Sequence, residues 1–157
     1  MEENIKWKQM EKDLSSWLST FTRNGIYFRN SHQAIIGFSS DGFRSDGMLT
    51  DNDVVIAIEV ECGQTHPDTN TGKYWLLYKN KPYKKIILFH IYTPDFNSYG
   101  WRKELAEFYI EQMKSEVPIE YILLDFRNAN DYHQTLMELK KKIEEKVGKE
   151  FRLANIG

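Results

Sequence analysis

The chain has 157 residues, with little cysteine and no long run of apolar residues. Its one cysteine, Cys62, has no partner for an internal disulfide, which is typical of proteins from reducing compartments. No apolar run reaches the roughly 18 residues that a membrane-spanning helix needs, and the first ten residues are too polar for a signal peptide. We therefore expect a soluble cytoplasmic protein without a membrane partner.

The chain also lacks a strong net charge and a phosphate-binding loop. The formal net charge is −2, whereas nucleic-acid-binding domains tend to be basic, although an acidic active site lowers the total. No G-x-x-x-x-G-K-[ST] sequence is present, so nothing indicates P-loop nucleotide chemistry. Hydrophobic residues make up 41% of the chain and aromatic residues 14%. This content predicts one folded domain over residues 1–157.

Acidic residues cluster around one predicted strand, residues 54–62. Side chains alternate between the faces of a strand, so one face is apolar and the other ends in Glu59 and Glu61. Asp46 precedes Glu59 by thirteen positions, after a turn-like segment. Carboxylates on one strand face repel each other and are rarely buried without a partner. The pattern therefore predicts a site for a divalent cation, Mg²⁺ or Mn²⁺, with oxygen ligands.

This arrangement of acids resembles the PD-(D/E)XK nuclease superfamily, which has the restriction-endonuclease-like fold. The matching residues are Asp46 and the triplet Glu59-Val60-Glu61; Ser45 replaces the usual proline, and Glu61 stands where lysine is commonest. The resemblance implies a metal-dependent endonuclease that hydrolyses phosphodiester bonds of DNA. It assigns metal binding to Asp46, Glu59 and Glu61, and Glu61 could instead help to deprotonate the attacking water.

Three further residues complete the site that the resemblance implies. Lys73, on the next predicted helix, and Gln64 are candidates for the role of the missing lysine. An ammonium group near the attacked phosphate could stabilise charge in the transition state. Glu11 lies within the apolar stripe of the first predicted helix, where many members of the superfamily carry a metal-binding or water-orienting glutamate. Alternatively, Glu11 lies at the edge of the stripe and its carboxylate reaches solvent.

Basic residues near the acidic cluster are candidates for contacts with DNA phosphates. They are Arg23, Arg29, Arg44 and Lys73, and the planar guanidinium of arginine suits two phosphate oxygens at once. Any one of them alone is better explained as ordinary surface charge. A single small site would cut one strand, so double-strand cleavage would need a homodimer.

Hydrophobic periodicity and turn signals predict an α/β fold with a central mixed five-stranded sheet flanked by helices. The expected order is α-β-β-β-α-β-α-β-α, in which the first three strands form a meander and the later strands run parallel. Strands are expected at 26–38, as a strand or hairpin arm interrupted at Asn30-Ser31, and at 43–50, 54–62, 86–92 and 119–126. Helices are expected at 4–22, after Pro67, at 98–115 and at 131–147. The third helix is expected to bury Trp101, Leu105, Phe108, Tyr109 and Met113, whereas His90 is interpreted as a structural or surface group.

Three alternatives remain open. His66 could bind zinc with Glu59 and Glu61, although no second histidine or thiolate lies at ligand spacing apart from Cys62, on the apolar face. The protein could be a catalytically inactive nuclease fold that binds nucleic acid or serves as a regulator. It could also be a different α/β enzyme or small-molecule binder, in which the acids belong to a structural ion-pair network.

Overall fold

A central sheet of five strands organises the chain, and the computed structural model describes residues 6–36 and 42–152. The strands are β1 (Tyr27–Arg29), β2 (Gly47–Thr50), β3 (Val54–Glu61), β4 (Lys85–Tyr92) and β5 (Ile119–Asp125). Their order in the sheet equals their order in the chain. The β1–β2 and β2–β3 pairs are antiparallel, and the β3–β4 and β4–β5 pairs are parallel. This confirms the predicted meander followed by parallel strands.

The helices of the described residues alternate with these strands in the predicted order. They are α1 (Gln9–Ser19), α2 (Pro67–Asn80), α3 (Arg102–Met113) and α4 (Tyr132–Glu150). Apolar side chains of α1 and α4 pack on one face of the sheet, and those of α2 and α3 pack on the other. No helix among the described residues is long and apolar enough to cross a membrane.

The turn between β2 and β3 sets the register of the two strands that carry the acids. The Asp51 carboxylate accepts hydrogen bonds from the backbone N–H groups of Asp53 and Val54, each at 2.7 Å. Gly47 then lies opposite Ile58, and a Cβ on Gly47 would come within 3.2 Å of the Ile58 side chain. Glycine thus permits close packing directly after Asp46.

The prediction of which residues the third helix buries was wrong in part. Trp101 is 80% exposed and Phe108 is 55% exposed, whereas Ala106, Ile110 and Met113 are buried. The helix begins only at Arg102, so Trp101 lies outside its packed face. Small residues bring α2 and α3 close, since the Thr71 hydroxyl donates to the Ala106 carbonyl at 3.0 Å. This close contact determines which side of α3 is buried.

The first predicted helix and strands are shorter in the structure. The helix begins at Gln9 and not at residue 4, and β1 ends at Arg29 because the Asn30 side chain accepts the N–H of His32 in a turn. Ala34 then forms an isolated bridge with Arg44. β2 begins at Gly47 rather than at residue 43. Residues 4–5 and 37–38 of the predictions lie outside the described residues.

Candidate active site

The C-terminal end of β3 carries two buried glutamates on the face that α2 covers. Glu59 is 2% exposed and Glu61 is fully buried. Asp46 directly precedes β2, and its Oδ2 atom accepts a hydrogen bond of 2.7 Å from the Val60 N–H group. The carboxylate of Asp46 is therefore tied to β3 at the residue between the two glutamates.

Helix α2 supplies partners for both glutamates from one of its faces. Asn70, Lys73 and Tyr74 are spaced i, i+3 and i+4, which brings their side chains to the same side of a helix. Lys73 Nζ lies 2.9 Å from Glu59 Oε2, and the Tyr74 hydroxyl donates a hydrogen bond to the same oxygen. Lys73 and Tyr74 are both buried. The charge on Glu59 thus has a partner within the chain.

Lys73 also contacts the segment that leads to Asp46. Its ammonium group donates to the Arg44 backbone carbonyl and, at 3.0 Å, to Asn70 Oδ1. With Glu59 these acceptors match the three donors of an ammonium group. Lys73 is consequently fixed beside the predicted site, although its burial leaves little of it open to a DNA phosphate.

Glu61 is held through a single oxygen. Its Oε2 atom accepts a hydrogen bond of 2.8 Å from Asn70 Nδ2 and lies 2.6 Å from His90 Nε2. His90 is fully buried, and its Nδ1 atom lies 2.6 Å from the Tyr121 hydroxyl. Sequence reasoning missed Asn70 and His90 as site residues. The available signal was a histidine within the apolar strand that neighbours the acidic one.

Glu11 reaches the site from the opposite face of the sheet. Its Oε1 atom accepts a hydrogen bond of 3.1 Å from the Cys62 thiol, at the end of β3. Glu11 and Asp46 line one cleft of about 330 Å³, together with Ser15 and His32. The structure therefore brings Glu11 and Asp46 to a shared cleft, whereas Glu59 and Glu61 lie beneath α2.

Burial makes two of the carboxylates hard to ionise. It raises the pKa of Asp46 to about 7, against the opposing hydrogen bond from Val60, and the charges of Glu11 and Glu61 act in the same direction as burial. It raises the pKa of Glu59 to about 8 despite the nearby Lys73. Burial is also the largest single influence on Glu61 and acts to raise its pKa. The hydrogen bond and charge of His90, together with hydrogen bonds from Thr65 and Asn70, outweigh burial, and that pKa lies below its ordinary value.

The donor atoms of this cluster suit a hard cation. All the carboxylates offer oxygen ligands, the type that Mg²⁺ prefers. Glu61 Oε1 is buried and has no hydrogen-bond partner among the described residues. Across residues 6–36 and 42–152, however, no three His, Cys, Asp or Glu side chains form a ready-made metal cluster. The cation at Asp46, Glu59 and Glu61 therefore stays a prediction.

The remaining candidates lie around this cluster. Gln64 is exposed in the loop after β3, and His66 is exposed with its ring 6.2 Å from the ring of Tyr99. Among the arginines, Arg23 and Arg44 are exposed. The Arg29 guanidinium donates to the Ala34 carbonyl at 2.5 Å.

Known proteins offer no further guide to this site, since no protein-family model, curated protein or solved structure matches the chain. The chemistry follows from the groups themselves. The arrangement combines desolvated carboxylates, a buried ammonium group and a cleft that reaches Asp46 and Glu11. Such a set can bind a cation and stabilise negative charge on a substrate.

Proposed function

We propose that the protein is a metal-dependent endonuclease that hydrolyses phosphodiester bonds of DNA, with Mg²⁺ or Mn²⁺ as its cofactor. The observation that carries the proposal is that buried Glu59 and Glu61 lie with Asp46 in one cluster beside the ammonium group of Lys73, which leaves a shortage of positive charge. Asp46, Glu59 and Glu11 interact electrostatically, and the pKa values of Asp46 and Glu59 rise to about 7 and about 8 even with Lys73 present. A divalent cation would remove this shortage.

Asp46, Glu59 and Glu61 would hold the ion. When bound, it would lower the pKa of a water molecule and neutralise charge on the phosphate oxygens. The exclusively oxygen donors support this assignment, as does the unpartnered Oε1 atom of Glu61. The element order and the position of Asp46 beside the acidic strand also support it, because both are what the resemblance to the nuclease superfamily implies.

The other site residues have distinct roles in this proposal. Lys73, fixed by Glu59 and Asn70, supplies a preorganised positive charge for the transition state. Glu11 lines the cleft with Asp46 and orients water there. Gln64, exposed after β3, is the second candidate for the role given to Lys73. Arg23, Arg29 and Arg44 contact DNA phosphates, and two copies of the chain cut both strands.

Cleavage of supercoiled plasmid DNA in Mg²⁺ tests the proposal. Asp46→Asn and Glu59→Gln keep the shape and one accepting oxygen of each side chain while removing its charge. We expect each to slow nicking by at least about 100-fold, the cost of losing one preorganised electrostatic group. Glu144→Gln, an exposed position on α4, is the matched control and should cut at the wild-type rate. Cleavage that survives both site substitutions, or that persists in EDTA, would contradict the proposal.

A second candidate is a nuclease fold without catalysis that binds nucleic acid. The observation that favours it is the buried pairing of Glu59 with Lys73 and Tyr74, which compensates the carboxylate without an ion. Mobility-shift and cleavage assays on the same DNA separate the two candidates. A binding protein should bind the DNA without cutting it in either Mg²⁺ or Mn²⁺. Asp46→Asn should leave that binding unchanged.

A further inference from the structure

A continuous chain of polar contacts runs across the sheet beneath α2. It connects β5 to β4 and β3, and then passes through α2 to the other glutamate of the site. Its members, in order, are Tyr121, His90, Glu61, Asn70, Lys73 and Glu59. Each link is 3.0 Å or shorter. The two glutamates are therefore connected through side chains as well as through the backbone of β3.

Asn70 is the link between the two halves of this chain. Its Nδ2 atom donates to Glu61 at 2.8 Å, and its Oδ1 atom accepts from Lys73 at 3.0 Å. A carboxylate only accepts hydrogen bonds and an ammonium group only donates them. An amide satisfies both neighbours in one orientation, whereas aspartate at this position would repel Glu61. The amide is thus the side chain that these two partners require.

His90 holds Glu61 from the other side. Because a carboxylate cannot donate, His90 Nε2 carries the proton of the 2.6 Å contact. His90 Nδ1 can then accept the Tyr121 hydroxyl proton at 2.6 Å. Asn70 and His90 both bind Glu61 Oε2, while Oε1 is buried without a partner among the described residues. One carboxylate oxygen is therefore doubly held. The other accepts no hydrogen bond of good geometry among the described residues, and the Thr65 hydroxyl is a further group that stabilises this carboxylate.

We propose that Asn70 and His90 are positioning residues that hold Glu61 by Oε2 and leave Oε1 as its oxygen for the cation. Asn70 also holds Lys73 against Glu59, so one amide positions both a metal ligand and the catalytic ammonium group. This inference rests on the proposed nuclease function. Hydrogen bonds from neighbouring side chains commonly orient metal-binding carboxylates in this way.

Mn²⁺ titration of the full-length protein by isothermal calorimetry, without DNA, tests the inference. Asn70→Ala and His90→Leu each remove a donor to Glu61 Oε2, and we expect each to weaken Mn²⁺ binding by about 10- to 100-fold. His90→Gln should bind within about threefold of wild type, because its amide nitrogen can still donate to Glu61. Thr69→Ala, at the exposed neighbour of Asn70, should bind as wild type does.

Circular dichroism identifies the variants that fold. If His90→Leu does not fold, Asn70→Ala still tests the inference, because Asn70 is only half-buried. Unchanged Mn²⁺ affinity in folded Asn70→Ala and His90→Leu would overturn the inference and leave the nuclease proposal intact. If His90→Gln binds as weakly as His90→Leu, the role assigned to His90 fails. Absence of Mn²⁺ binding by the wild type would overturn both proposals together.

Discussion

The two faces of β3 differ in a way that separates stability from chemistry. Toward α1 and α4, the side chains of Ile56, Ile58 and Val60 stay apolar along the strand and join one continuous core. Toward α2 and α3, Val55 and Ala57 are followed by Glu59 and Glu61. One strand thus contributes only hydrophobic burial on one side and buried charge on the other.

Burial has opposite consequences on these faces. Removing apolar groups from water stabilises the folded chain. Removing a carboxylate from water costs free energy unless hydrogen bonds and opposite charges in the protein replace its interactions with water. On the α2 face the partners are specific, Lys73 for Glu59 and His90 for Glu61. The difference implies that the acid cluster, including Asp46 at the start of β2, makes stability depend on pH, whereas the apolar face does not. Three measurements test this difference.

The largest effect expected is a fall in the free energy of unfolding between pH 4 and pH 8. Asp46 and Glu59 have folded pKa values of about 7 and about 8, above their ordinary values of 3.8 and 4.5. The folded state therefore retains protons that the unfolded chain has released, and this stabilisation disappears as pH rises through the folded values. Each group contributes a slope of up to about 1.4 kcal/mol per pH unit between its unfolded and folded pKa values.

Urea denaturation followed by circular dichroism across this range measures the slope. The double variant Asp46→Asn, Glu59→Gln should flatten it, because it removes both titrating groups. Glu61 acts in the opposite direction and only at the acid end of this window, since its pKa is lowered from 4.5. Mg²⁺ should stabilise the wild type more at pH 8 than at pH 6, because the ligands bind metal in their ionised form. An equally steep slope in the double variant would show that other residues cause it.

The next effect is expected from Lys73→Met, which leaves Glu59 buried without its cation. Breaking a buried ion pair at one partner costs about 3–5 kcal/mol, and the cost should grow as pH rises past about 8, where Glu59 ionises. Urea denaturation at pH 5 and pH 9 measures it. Adding Glu59→Gln should recover most of the loss at pH 9. If the double variant loses as much stability as the two single variants together, Lys73 and Glu59 do not interact energetically.

The third effect belongs to the apolar face. Ile58→Ala should cost about 2–5 kcal/mol, because the side chain is fully buried and packs closely against the surrounding core. The loss should be equal at pH 5 and pH 9, since the Ile58 side chain does not ionise and packs among the apolar residues of the core. Urea denaturation at both pH values measures the difference. A pH-dependent loss would contradict the separation of the two faces.

Much of the fold could be predicted from local patterns. The alternation along residues 54–62 identified both faces of β3, and turn residues identified the meander. The buried side of α3 could not be predicted, because Trp101 and Phe108 are as apolar as the residues that are buried. Which stripe packs depends on where α3 begins and on how closely α2 approaches it.

The acids of the candidate site could be identified from spacing, and their partners could not. Asp46, Glu59 and Glu61 stand out in the sequence because carboxylates at the end of an apolar strand are unusual. Asn70 does not stand out on its helix, and His90 stands out only as a histidine within an apolar strand, which does not identify its partner. Their role depends on the packing of α2 and β4 against β3.

The order of the elements and the two unlike faces of β3 follow from local patterns in the amino-acid sequence, because period and polarity are local properties. The partner of each carboxylate is settled when α2 and β4 pack against β3. Hydrogen bonds of this kind depend on distances of a few ångströms between residues far apart in the chain, such as Glu61 and His90 at 2.6 Å, and residue spacing along the chain does not specify such distances.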